Sequence, residues 1–260
     1  MSFSLRKSMC VNLFLFMLIA ASATGNEPAV KEKSACEYAA DLLTEAREGN
    51  LVEVKKTLNL LEKITPYLPD ETKEATAYWI NLYNGLAYWQ KIIDPEGLRA
   101  EMSRNSFFNR PLIQLDGETW SLNDIEYGVL MGNKPRGPLK KRQIAESSPK
   151  ARFILKKVDP RIHGALNCGA CSCPAIAYYD PEQLDSQLDS AMCNLVSQSA
   201  FDPAKNELKV SKIFDWYAEA FEKPSPLYWF DRCFYDRAYK NVRATGKDVK
   251  ITYQEWTWAK

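Results

Sequence analysis

The sequence predicts a helix-rich α+β fold: a single domain in which a buried central helix packs against a small mixed sheet of short strands. Three observations carry that reading. Residues 75–89 are apolar all round a helical axis, and such a helix is stable only when buried. Short runs of strand character at 112–120, 207–210 and 249–256 are outnumbered by longer stretches of helical period. Hydrophobic content of 46% and charged content of 26% over 260 residues are ordinary for a chain that folds around a sizeable core.

The elements follow in order. Residues 1–23 have the zones of a cleavable signal peptide: basic Arg6 and Lys7, an apolar stretch over 13–21, and small Ala21-Ser22-Ala23, with cleavage expected after Ala23. The apolar run is about half of the roughly 18–20 residues needed to cross a bilayer, and no later stretch is apolar for long enough. A secreted, extracellular protein without a membrane span is therefore expected. A formal net charge of +1 provides no electrostatic footprint for nucleic acid or an acidic membrane surface.

Residues 24–66 read as an N-terminal helical preface. Within it, Leu42, Leu43 and Ala46, then Leu51, Val54, Leu58, Leu61 and Ile64, recur at helical spacing on two helices broken near Gly49-Asn50. Pro66 and Pro69 end the preface, and the main domain, 67–260, opens with Asp70 placed to cap the buried helix, which runs to about Lys91. Gly85 inside that helix costs about 1 kcal/mol against alanine, so a close backbone approach is expected there. Residues 112–120, with Asp116-Gly117 at the centre, read as a hairpin. Ser121-Leu122-Asn123-Asp124 has capping-box spacing and opens a short helix through Met131. A Gly/Pro/Lys/Arg-rich loop follows to about Pro149. Further on, 162–168 reads as a short strand, 181–198 as a helix and 207–210 as a strand. Helices over 211–221 and 226–241 and a final strand over 249–256 complete the chain. Tyr228, Trp229, Phe230, Phe234, Tyr235, Tyr239, Trp256 and Trp258 read as packing between the last helix and the last strand.

Three segments stand out together. They are Tyr78-Trp79-Ile80-Asn81-Leu82-Tyr83-Asn84, Ser121-Leu122-Asn123-Asp124-Ile125-Glu126, and His163-Gly164-Ala165-Leu166-Asn167-Cys168-Gly169-Ala170-Cys171-Ser172-Cys173-Pro174. In order and spacing they resemble the domain-of-unknown-function 547 (DUF547) family, whose name records that no activity is assigned to it. Tyr127 and Met131 stand where the family's pattern often has His and Arg.

Read as chemistry, Asn81 and Asn84 share one helix face, where their amides either bind substrate or tie loop backbones to the helix. His163 is the chain's single histidine, and with Cys168 it makes a thiol–imidazole pair. Residues five apart on a regular strand point to opposite faces, so the two meet only if the strand bulges at Gly164 or ends before Cys168. Glu126 is the candidate third member, orienting the imidazole. A Cys168/His163/Glu126 set points to a hydrolase or acyl transferase. The alternatives are a non-catalytic structural, matrix or interaction protein, and a thiol–disulfide redox protein using the Cys168-Gly169-Ala170-Cys171 spacing. Four potential ligands crowded into eleven residues do not make the usual two-pair zinc arrangement, so neither a metal site nor a cofactor is expected. Cys10 leaves with the signal peptide. The family motif claims Cys168 and Cys173, which leaves Cys36, Cys171, Cys193 and Cys233 for extracellular staples; Cys36–Cys233 and Cys171–Cys193 are the expected pairs among three possible pairings.

Overall fold

The structure, a computed structural model, describes residues 33–64, 73–222 and 225–258. The expected signal peptide, the start of the preface and the proline junction with Asp70 lie outside the described residues. Lys33–Lys260 forms one compact unit of helix-rich α+β architecture.

Helix α1 (Ala35–Glu48) begins with a reciprocal capping box, in which the Ser34 hydroxyl accepts from the Glu37 backbone N–H and the Glu37 carboxylate accepts from that of Ser34. It ends at Gly49, whose φ of 71° is left-handed and favours glycine. The Asn50 side chain caps α2 (Leu51–Lys63). The central helix α3 (Lys73–Ile93) is buried from Ala77 through Ala87. Its most extensive neighbour is α1. Gly85 permits that approach: a Cβ there would stand 2.9 Å from Leu42 Cγ and 3.1 Å from the Leu43 backbone nitrogen.

Two short helices, α4 (Pro95–Arg99) and α5 (Glu101–Asn109), lead to the hairpin β1 (Ile113–Leu115) and β2 (Glu118–Trp120). Asp116 and Gly117 both have positive φ, the primed-turn geometry that matches strand twist. Trp120 packs on Trp79 of α3 at 4.9 Å between ring centroids. The Ser121/Asp124 capping box opens a π-helical segment, Asp124–Leu130, rather than an ordinary α-helix.

Residues 162–168 are not the expected strand. Ile162–Ala165 is a single helical turn, α6, and the chain extends only from Leu166. The Asp159 carboxylate binds the Arg161 N–H and guanidinium and starts the turn. Gly164 lets it dock against α7 (Leu184–Ser197), since a Cβ would stand 2.9 Å from Met192 Sδ and 3.1 Å from the α7 backbone.

Strands β3 (Ala200–Asp202) and β4 (Glu207–Val210) pair antiparallel, followed by α8 (Ile213–Trp216) and a 3-10 turn, Ala218–Phe221. The expected 226–241 helix is two, α9 (Pro226–Cys233) and α10 (Arg237–Ala244), because Asp236 caps a new start by accepting from the Tyr239 N–H. Strand β5 (Lys250–Tyr253) then lies parallel to β4, making a mixed three-stranded sheet. That sheet packs with the end of α7, α9 and α10 in a second apolar cluster, while α3 anchors the first.

The expected disulfides, Cys36–Cys233 and Cys171–Cys193, are corrected. Cys193 on α7 is bonded to Cys233 at the end of α9, because those helices pack and bring the two Cα atoms to 5.2 Å. Cys36 is buried on α1, where its sulfur accepts from Asn81. Cys171 is exposed at a loop tip.

Candidate functional site

The segment 166–174 leaves α6 as a tight loop that returns on itself. Asn167 Nδ2 donates to the Pro174 carbonyl at 2.7 Å, which closes the loop at its base. Gly169 supplies the left-handed turn with φ 89°, and its N–H donates to Asn167 Oδ1. At the tip, the N–H groups of Cys171 and Ser172 donate to the carbonyls of Trp258 and Thr257, so the C-terminal tail grips the loop. This brings Cys168 and Cys173 face to face with 2.7 Å between sulfurs, and the Cys168 N–H donates to Cys173 Sγ at 3.1 Å.

The two thiols are inequivalent. The hydrogen bond to Cys173 and burial both push the Cys168 thiol up. Burial works against the Cys173 thiolate too, but the Cys168 thiol and the N–H groups of Cys168 and Ala170 overcome it and hold its pKa below the ordinary thiol value. The thiolate is thus better supported on Cys173, while Cys168 is the more exposed of the two.

Behind the sulfurs lies a buried carboxylate. Glu126 accepts from the Tyr83 hydroxyl at 2.8 Å and from the Tyr217 hydroxyl at 2.6 Å. Burial, then the Glu126 charge, raises both phenols well above their usual range, so they remain donors. His163 stacks on Tyr217 with 3.9 Å between centroids, and its buried Nε2 has no hydrogen-bond partner among the described residues. Burial, helped by the charge of Lys134, lowers the imidazole pKa to about 3.

A cavity of about 520 Å³ collects these groups; Cys168, Cys173, His163 and Glu126 all line it. The helical turn at 162–165 removes the strand on which the parity argument rested, and among the described residues no hydrogen bond joins the His163 ring to Cys168. Glu126, however, is bonded to tyrosines rather than to the imidazole. Asn81 and Asn84 stand outside the cavity lining. Asn81 exchanges two 2.8 Å hydrogen bonds with the backbone of Tyr179. Asn84 donates to the Ala165 carbonyl at 3.1 Å and accepts from the Asn167 N–H at 2.8 Å. Both amides thus clamp the segments that flank the cysteine loop.

Sequence reasoning missed Tyr217, Trp216, Arg104 and Arg136 as cavity residues, and it placed Trp256 and Trp258 only in packing. These come from four separated parts of the chain. Cys173 could have been found as the partner of Cys168, since the motif already grouped the two. Among the described residues, no group of three His, Cys, Asp or Glu side chains is placed to hold a metal ion, and no helix is long and apolar enough to cross a membrane.

Residues 70–196 match the model of a family described as a protein of unknown function, DUF547, so the chain resembles that family over the segment holding α3, Glu126, His163 and the cysteine loop. The matched span stops short of Tyr217 and the C-terminal tail. No curated protein and no solved structure matches the chain.

Proposed function

We propose that this chain is an exported thiol–disulfide redox protein whose working pair is Cys168 and Cys173. The observation that carries the reading is the 2.7 Å approach of two sulfurs of unequal acidity on the wall of a cavity. The redox spacing is thus Cys168/Cys173 rather than Cys168/Cys171. The leader-like N-terminus supports export, and so does the separate Cys193–Cys233 disulfide, a bond typical of oxidising compartments.

In the reaction, the Cys173 thiolate attacks one sulfur of a disulfide RSSR, whose S–S bond breaks to release RS⁻. Cys168 then attacks Cys173 Sγ and expels the second RS⁻, which takes up the Cys168 proton. The pair is oxidised by two electrons, and the substrate is reduced to two thiols. Run in reverse, the protein oxidises thiols. Equilibrating the protein in glutathione buffers of graded potential, trapping with iodoacetamide and weighing the 168–173 peptide tests this. A reversible loss of both carbamidomethyl labels from Cys168 and Cys173 across the series is expected, as the pair passes from two alkylatable thiols to a disulfide. Thiols that stay alkylatable in the most oxidising buffer would dismiss the proposal.

A second reading is favoured by the presence of Cys168, His163 and Glu126 on one cavity wall. In it, Cys168 attacks an ester, thioester or amide carbonyl with His163 as base, while Glu126 acts on the imidazole only through Tyr217, which donates to it and stacks on the ring. A chromogenic thioester separates the two readings: a burst of acyl group retained on Cys168 supports hydrolysis or acyl transfer, and its absence removes that reading. Without either activity, the same residues would serve a non-catalytic secreted structural, matrix or interaction protein.

A further inference from the structure

The same cavity carries positive charge that no ion pair among the described residues neutralises. Arg104 and Arg136 both line it, and among the described residues neither guanidinium has a carboxylate partner. Both are held in place by means other than ion pairing. The Arg104 guanidinium lies over the Trp258 ring at 4.5 Å from the centroid and donates to the Arg99 carbonyl. The Arg136 guanidinium lies over Tyr127, on a turn closed by backbone hydrogen bonds with Lys141. A guanidinium stacked on a ring keeps its edge N–H groups free for a planar anion, and it loses little rotamer entropy on binding one.

The rest of the wall agrees. Glu126, the acidic side chain of the lining, accepts from two tyrosine hydroxyls, and the two arginines outnumber it there. His163 is neutral, and the charge of Lys134 is felt at its ring. Trp216, Trp256 and Trp258 form a contiguous aromatic wall, with centroids 4.7 Å apart for Trp216 and Trp256 and 5.9 Å for Trp256 and Trp258. A volume of about 520 Å³ falls in the range of small-molecule sites, which is roughly 300–1,000 Å³.

We infer that the substrate is a small disulfide whose substituents carry carboxylates, with its anionic end on Arg104 and Arg136, its body against the tryptophan wall and its S–S bond at Cys173. The inference rests on the redox reading of the Cys168/Cys173 pair and adds the charge class of what the pair acts upon.

The test uses the full chain with Cys10, Cys36 and Cys171 replaced by alanine, so that the pair supplies the reactive thiols. Two aromatic disulfide probes are compared by absorbance: dithiobis(nitrobenzoate), which carries two carboxylates, and dithiodipyridine, which is neutral. Each oxidises the pair to a disulfide and releases two aromatic thiols. Rates are divided by those of a small neutral thiol, which removes the intrinsic reactivity of each probe. The expected anionic-to-neutral ratio is about ten at low salt, falls as sodium chloride is added, and drops roughly tenfold in the Arg104→Gln/Arg136→Gln variant. A ratio near one that moves with neither salt nor substitution overturns the inference while leaving the redox reading in place. The salt series on the unsubstituted arginines keeps the test decisive if the variant fails to fold. If neither probe produces a Cys168–Cys173 disulfide by peptide mass, the redox reading itself fails and takes this inference with it.

Discussion

Two pairs of cysteines sit in one compact unit in different settings. Cys193 and Cys233 join α7 to α9, each sulfur carried by a helix that is already packed, with 40 residues of chain between them. Cys168 and Cys173 are five residues apart in a loop without regular structure, beside a cavity. Closing the long loop removes far more freedom from the unfolded chain than closing the short one. By loop entropy the first is worth about 4 kcal/mol and the second about 2 kcal/mol. The same residue type thus forms a staple where helices cross, and stands as a close pair of thiols where a short loop borders a cavity, the pair for which we propose exchange.

The comparison can be broken most directly by deleting each pair. Cys193→Ser with Cys233→Ser should lower unfolding free energy in urea by about 4 kcal/mol, against about 2 kcal/mol for Cys168→Ser with Cys173→Ser when the reference protein has its 168–173 pair oxidised to a disulfide. Equal losses would erase the distinction drawn between them.

The next largest effect tests whether the cysteine loop is held from behind. Asn84→Ala leaves the Ala165 carbonyl and the Asn167 N–H without their partner, at about 1–3 kcal/mol for each buried group. Stability should fall by about 3 kcal/mol, and iodoacetamide labelling of Cys168 in reduced protein should quicken. A stability loss with unchanged labelling would show that the clamp and the thiols are uncoupled.

Gly85→Ala examines the opposite side of α3, where the new methyl meets Leu42 and the Leu43 backbone. Overpacking there should cost about 1–3 kcal/mol by urea denaturation and leave thiol exchange rates alone, because the contact faces α1 rather than the cavity.

The smallest effect at neutral pH concerns His163. Its folded pKa of about 3 lies below the ordinary 6.5, so between those values the unfolded chain takes up a proton that the folded chain refuses. The stability associated with the neutral imidazole is complete above about pH 6.5 and is lost as pH falls toward 3. His163→Gln should leave urea midpoints nearly unchanged at pH 8 and flatten their decline between pH 6 and 4. A parallel decline in both proteins would mean that the ring is not shielded.

Much of this arrangement was legible in the sequence. The break at Gly49-Asn50, the Asp116-Gly117 turn and the Ser121/Asp124 capping box are local devices whose meaning lies within four residues, and the structure uses each one. Residues 162–168 were misread because Ile162, Ala165 and Leu166 suit a strand or a buried turn equally. Asp159 and the approach of α7 to Gly164 decide between them. The two tyrosines holding Glu126 stand 43 and 91 positions from it, and no local pattern announces such a pairing.

The sequence by itself determined the helix-rich class, the buried character of α3, the caps and turns, and the grouping of His163, Cys168 and Cys173 on one short segment. Those follow from periodicity and from interactions between near neighbours along the chain. Only the tertiary structure decided which cysteines pair, that Asn81 and Asn84 serve backbone rather than cavity, and that two arginines and three tryptophans from distant segments share one wall. Each of those outcomes depends on which surfaces meet when helices pack, and contact between remote surfaces is set by the shape of the whole core rather than by any stretch of residues within it.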